Sequence, residues 1–194
     1  LGYKPSAISY ILYKINPDEK YTSFEIPKKT GGIRTIHAPC DRLKKLQRSL
    51  ANLLYDCQED IKPKEEKIGT IKCIPPSLPS RKRLAKPISH GYEKGLSIST
   101  NADMHINSRH VFNIDMQDFF PSFNFGRVRG FFIKNKSFKL HPRVATIIAQ
   151  IACYENSLPQ GSPCSPVISN LITKSLDISL LRHAKKYKCI YTRY

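Results

Sequence analysis

The chain has 194 residues and carries 32 Lys+Arg against 15 Asp+Glu, a formal charge of +17. That length suits one domain, or two closely joined subdomains, with an adequate core. The charge points to a polyanionic partner, because each Lys or Arg set against a phosphate releases condensed counterions. It does not name a reaction, since structural and enzymatic nucleic-acid binders share this balance. A membrane partner is disfavoured: no basic amphipathic helix, signal peptide or transmembrane run stands out. Cys40, Cys57, Cys73, Cys153, Cys164 and Cys189 form no C-x-x-C pair. This argues against zinc and for reduced thiols in a cytoplasmic protein.

In chain order, Ile8, Ile11, Leu12 and Ile15 keep helical spacing, with Ser6 as a cap. Tyr21 to Ile26 and Ile33 to His37 read as the two strands of a hairpin around the basic turn Lys28-Lys29-Thr30-Gly31-Gly32. Arg42 to Cys57 is an amphipathic helix, with Leu43, Leu46, Leu50, Leu53 and Leu54 on one stripe. From residue 60 to 88 the prolines and the run Arg81-Lys82-Arg83 predict an irregular basic insert. Further helices are expected over Ala102 to Asn107, Phe125 to Ile133, Arg143 to Tyr154 and Pro166 to Lys186. Cys189 to Tyr194 reads as a strand.

The most informative stretch runs from Val111 to Ser122. Val111 to Ile114 predicts a short buried strand that delivers Asp115 at its tip. Asp118, three residues on, cannot share a strand face with it. The strand must therefore end near Asp115 if both carboxylates face one site. A strand-to-helix junction capped by Asp118 accounts for the same residues. Downstream, Leu158-Pro159-Gln160-Gly161-Ser162-Pro163 leads into the last long helix.

Together these two blocks resemble motifs A and B of reverse transcriptases, an Ile-Asp-x-x-Asp-Phe-Phe block followed by Pro-Gln-Gly. Asn101-Ala102-Asp103-Met104-His105, with His90-Gly91-Tyr92-Glu93-Lys94 before it, is similar to a signature of retron enzymes. The resemblance covers about residues 24 to 194. It implies an α+β right-hand polymerase fold. Residues 1–110 would form the fingers and the entry to the palm, with the insert at 60–88. Residues 111–194 would form a palm that stops before its Tyr-Ala-Asp-Asp hairpin. Beginning at Leu1 and stopping at Tyr194, the chain is expected to lack residues at both ends.

The resemblance also assigns roles. Asp115 is the catalytic carboxylate, bridging two Mg²⁺ ions with the Met116 backbone carbonyl as a further ligand. The rest of that site would lie beyond Tyr194. Lys29 and Arg34 would grip the triphosphate, with Arg34 the better match. Asp118 would lie near it through its backbone N–H groups. Phe120 falls at the position of a steric gate against a ribose 2′-OH. Phe119 adjoins it among the nucleotide-facing residues, and packing suits its ring better. Gln160 and Gly161 would approach the incoming base and template. Asn101, His105, Arg81, Lys82 and Arg83 would face RNA, though a solvated basic loop and a partly buried histidine are the ordinary readings. The implied activity is RNA-directed DNA synthesis from dNTPs. The implied partners are a retron noncoding RNA, its branched DNA product and an effector protein in anti-phage defence. A group II intron-like enzyme and a non-catalytic basic RNA-binding protein are the alternatives.

Overall fold

The fold comes from a computed structural model, which describes residues 1–28, 31–66 and 87–194. The chain divides into two compact units. Unit 1 comprises Leu1–Tyr55 with Ile114–Ile172, and unit 2 comprises Asp56–Asn113 with Thr173–Tyr194.

Unit 1 opens with helix α1, Pro5–Tyr13, where Pro5 sits in the first turn and needs no N–H partner. A single-turn helix, α2, Pro17–Lys20, follows, with the Asn16 side chain accepting from the Asp18 N–H at 3.4 Å. The strands β1, Tyr21–Pro27, and β2, Ile33–Pro39, pair antiparallel, with Tyr21 opposite Pro39 and Ile26 opposite Arg34. At the turn Gly31 and Gly32 both have φ of +88°, a conformation that costs glycine little.

Helix α3, Asp41–Glu66, lays Leu43, Leu46, Leu50 and Leu54 into the core. Across that core lie α5, Phe125–Lys134, and α6, Pro142–Ala152. Val128 and Phe132 of α5 and Ala145, Ala149 and Ala152 of α6 are fully buried. The alanines permit close helix approach, and Arg129 Nε donates to Thr146 Oγ1 at 2.8 Å between the two helices. Helix α7, Ser165–Lys186, contributes Val167, Ile168 and Leu171.

One buried polar group links the hairpin to this core. Gln47 Nε2 donates to Tyr21 Oη at 2.7 Å and to the Ile151 carbonyl at 2.8 Å. Burial pushes the Tyr21 phenol above its usual range, so it stays protonated. Burial likewise pushes the Cys153 and Cys164 thiols up to about 12. Neither is a nucleophile near neutral pH. The described cysteines Cys40, Cys57, Cys153, Cys164 and Cys189 are all unpaired.

Unit 2 contains the end of α3, the short helix α4, Ile98–Asp103, and the greater part of α7. Its organising feature is the segment from Tyr191 to Arg193. The Arg193 carbonyl accepts from the His90 N–H at 2.7 Å, and the Arg193 N–H donates to the Ile88 carbonyl at 2.9 Å. Arg193 and Asp177 form a buried, two-pronged ion pair, with Nε to Oδ1 and Nη2 to Oδ2 each 2.9 Å. Their side chains are only 9% and 5% exposed.

Four expectations are corrected. Val111 to Ile114 is not a buried strand: it pairs with no strand among the described residues, and Val111, Phe112 and Ile114 are 57%, 88% and 77% exposed. Alternating or apolar sequence alone does not make a strand without a ladder partner. Cys189 to Tyr194 likewise forms one isolated parallel bridge, Arg193 with Ser89, rather than a strand. The helix expected at Ala102 to Asn107 begins earlier. Ser97 and Thr100 form a reciprocal capping box, with Thr100 N–H to Ser97 Oγ at 3.3 Å and Ser97 N–H to Thr100 Oγ1 at 2.9 Å. Finally, α3 runs past Cys57 through Glu66, so the first residues of the supposed irregular insert are helical. The remainder of that insert, Arg81, Lys82 and Arg83 included, lies outside the described residues, as does Lys29.

Candidate functional site

Within unit 1 three segments distant in sequence are fastened to one another through their backbones. The stretch after Asp115 is a series of turns. Asp118 takes a φ of +49°, tolerable for aspartate, and its carbonyl accepts from the Ser122 N–H at 2.9 Å. Asp118 does not cap α5; Asn124 does, accepting from the Arg127 N–H at 2.8 Å. The turns end in a bridge to the segment before Gln160. The Leu158 N–H donates to the Phe123 carbonyl at 3.1 Å, and the Phe125 N–H donates to the Asn156 carbonyl at 3.0 Å.

The second junction joins the Pro-Gln-Gly turn to the hairpin. The His37 N–H of β2 donates to the Gln160 carbonyl at 2.8 Å. Gly161 has φ of +120°, and a Cβ there would lie 2.7 Å from the His37 carbonyl oxygen and 3.0 Å from Ile36 Cγ2. The glycine is thus required by the chain's own strand, and not simply by room for a base. His37 Nδ1 lies 2.7 Å from Ser23 Oγ across the hairpin, and its ring meets Tyr154 at 5.2 Å between centroids. Arg34 is exposed and shares the strand face of Ile36, the residue against Gly161. The fold therefore brings together the segments of Arg34, Phe120 and Gln160–Gly161.

Asp115, Met116 and Asp118 are exposed ahead of this junction. Phe119 and Phe120 are half-buried against the core, their centroids 5.6 Å apart, and Phe119 meets Phe123 edge-on at 5.1 Å. Packing is therefore an established role for both rings. No group of three or more His, Cys, Asp or Glu residues able to hold a metal occurs among the described residues. Asp115 is an exposed carboxylate that belongs to no such group.

Asn101 and His105 fall in unit 2. His105 Nε2 lies 2.7 Å from Thr192 Oγ1, and His90 Nδ1 lies 2.9 Å from Thr100 Oγ1. Both histidines thus have partners inside the protein. A Cβ on Gly91 would lie 2.7 Å from the Tyr194 carbonyl carbon, so that glycine too serves close backbone approach. Sequence reasoning missed the Asp177–Arg193 pair. Tyr191 Oη also donates to Asp177 Oδ1 at 2.9 Å. Burial first, and then the Asp177 carboxylate, push that phenol above its usual range. The available signal was the polar run Asn170, Thr173 and Asp177 on α7, stepping at helical intervals, with all three buried.

Gly161→Ala is expected to destabilise the protein by about 1–3 kcal/mol, the scale of a strained backbone, and to loosen the hairpin. Gly130→Ala in α5 serves as the control, because beyond its chain neighbours and the helix's own backbone no described atom lies within 4 Å of the place its methyl group would take. That control should be neutral or stabilising by up to about 1 kcal/mol. Denaturant midpoints decide between them. Equal midpoints for the two variants would show that the close approach at His37 is not maintained in solution.

Residues 26–194 match the family described as reverse transcriptase (RNA-dependent DNA polymerase), and the chain belongs to that family. Within it the chain is of the retron type. It is 33% identical to the Retron Ec86 reverse transcriptase of Escherichia coli over 91% of its own length and 47% of that protein. It is 32% identical to the Retron Mx65 reverse transcriptase of Myxococcus xanthus over 90% of its own length and 38% of that protein. The Retron Mx162 reverse transcriptase of the same organism is 28% identical over 100% of this chain and 38% of its own. The chain thus spans less than half the length of these relatives.

Proposed function

We propose that this chain is the nucleotide-handling part of a retron-type RNA-directed DNA polymerase, with residues 1–110 as fingers and entry to the palm and 111–194 as palm. The observation that carries the reading is the backbone junction of unit 1, where the hairpin bearing Arg34, the turn at Gln160–Gly161 and the block after Asp115 meet. A dNTP needs a cation for its triphosphate, a surface for its base and sugar, and a carboxylate beside its reacting phosphate. Those groups come from these three segments.

In this reading Arg34, with Lys29, holds phosphate oxygens, for which an arginine fork is well shaped. Gln160 and Gly161 flank the base, and Asp118 contributes backbone N–H groups. Asp115 and the Met116 carbonyl are the ligands this chain offers to Mg²⁺. The two ions, when bound, lower the pKa of the attacking hydroxyl and neutralise the triphosphate. A two-ion site would need further carboxylates beside Asp115. The partners follow from the retron type: a cognate noncoding RNA that primes and templates a branched RNA–DNA product, and an effector protein in anti-phage defence. A cytoplasmic location accords with these roles. No helix among the described residues is long and apolar enough to cross a membrane.

The test is primer extension on an RNA template by the protein at its relatives' full length, with and without Mg²⁺. Templated dNTP incorporation is expected. RNA binding without incorporation would reduce the reading to a basic RNA-binding protein.

Phe120 is proposed as the gate against ribonucleotides. Phe120→Val should raise rNTP use relative to dNTP by about 10-fold or more, the scale of relieving a steric clash in a pocket. Competitive incorporation on one template measures it. A fall in total activity with the preference unchanged would leave Phe120 with its packing role alone.

A further inference from the structure

A groove in unit 1, lined by no residue of the blocks just discussed, combines aromatic and cationic groups. Tyr3, Ala7, Tyr10 and Ile11 line it from the α1 side, and Arg42 and Lys45 from α3, around a volume of about 430 Å³. Ile11 is buried and forms its floor, whereas Tyr10 keeps 48% of its surface exposed. The Arg42 guanidinium lies over the Tyr10 ring, 5.5 Å from its centroid. Arg42 and Lys45 are both exposed, and Lys44 and Arg48 continue the charge along α3. Asp41, also exposed, is the acidic residue at that helix start.

We propose that this groove binds single-stranded RNA, one base stacking at Tyr10 and the adjoining phosphates meeting Arg42 and Lys45. An apolar floor with an accessible ring suits a flat base, and the cationic rim suits the chain that carries it. The charge excess of +17 fits a polyanion rather than an acidic-and-basic protein surface. The arrangement is sequence-tolerant, since every base has a π-face, and it gives the RNA a hold outside the nucleotide site. The choice of RNA over DNA rests on the reading of the chain as an RNA-directed polymerase.

The probe is a fluorescein-labelled 12-nucleotide oligo(U), with oligo(dT) of the same length alongside, titrated by anisotropy against the full-length protein. Tyr10→Ala should weaken oligo(U) binding roughly 10-fold, the scale of removing one stacked base, while Tyr10→Phe keeps near wild-type affinity. Replacing Arg42 and Lys45 with alanine together should flatten the log–log salt slope by about 0.7 for each phosphate no longer neutralised. In parallel, oligo(U) carrying 4-thiouridine should photo-crosslink to the peptide containing Tyr10. Unchanged affinity in Tyr10→Ala, or a crosslink confined to other peptides, overturns the proposal. Equal losses with oligo(dT) overturn its assignment to RNA. Failure of primer extension by the wild-type protein would sink the polymerase reading and leave these binding results standing.

Discussion

Asp115→Asn in the full-length protein is expected to reduce RNA-templated DNA synthesis by more than about 100-fold. Even residues that merely orient metal ligands cost about 10–100-fold when changed, and a bridging carboxylate should cost more. Asp115 is exposed, so the substitution leaves no buried charge or cavity. Its effect on stability should stay within about 0.5 kcal/mol, the usual range for such positions. RNA affinity should be nearly unchanged, because the group removed is an anion and does not hold phosphate. Primer extension, a gel shift and a denaturant curve on the same preparation separate these quantities. Extension at the wild-type rate would remove Asp115 from the chemistry.

Asp177→Ala is expected to have the largest effect on stability, about 3–5 kcal/mol, because it leaves the Arg193 guanidinium buried without its counter-charge. The same change removes the acceptor of the Tyr191 hydroxyl. Replacing both members of the pair with leucine should recover much of the stability, since apolar side chains need no compensation when buried. Chemical denaturation of the two variants provides the comparison. If the single variant unfolds at the wild-type midpoint, the pair is solvated rather than buried. The consequence for function would be local, because the backbone of Arg193 is bonded to Ile88 and His90.

Where a signal was local, the sequence was readable. The hairpin followed from apolar strands around Gly31–Gly32, and α5, α6 and α7 lie close to the spans expected for them, whereas Ser6 does not cap α1, which begins at Pro5 after Lys4. Even the unanticipated α2 had its signal in Asn16-Pro17, a cap followed by a proline. The errors arose where structure depends on a distant partner. Val111 to Ile114 has strand-like residues, yet its state depends on a neighbouring strand that composition cannot supply. The room that the missing Cβ of Gly161 leaves for the His37 carbonyl could not be read either, because that strand is distant in sequence. The partner of His105 inside the protein, Thr192, lies 87 positions away and was equally illegible. The motif blocks identified the family because their residue types are specific. Their meeting point in unit 1 depends on hydrogen bonds between backbone groups, which carry no residue signature.

The hairpin and the Gln160–Gly161 turn are proposed to build one dNTP site, and Arg34 tests this most directly. The measurement is dNTP saturation of primer extension at fixed RNA, for wild type and Arg34→Ala, with RNA affinity measured separately. The expected result is a KM for dNTP raised roughly 10-fold or more, the scale of removing one charge-assisted hydrogen bond, with RNA affinity unchanged. An unchanged KM together with weakened RNA binding would contradict the shared site and place the hairpin on the RNA surface.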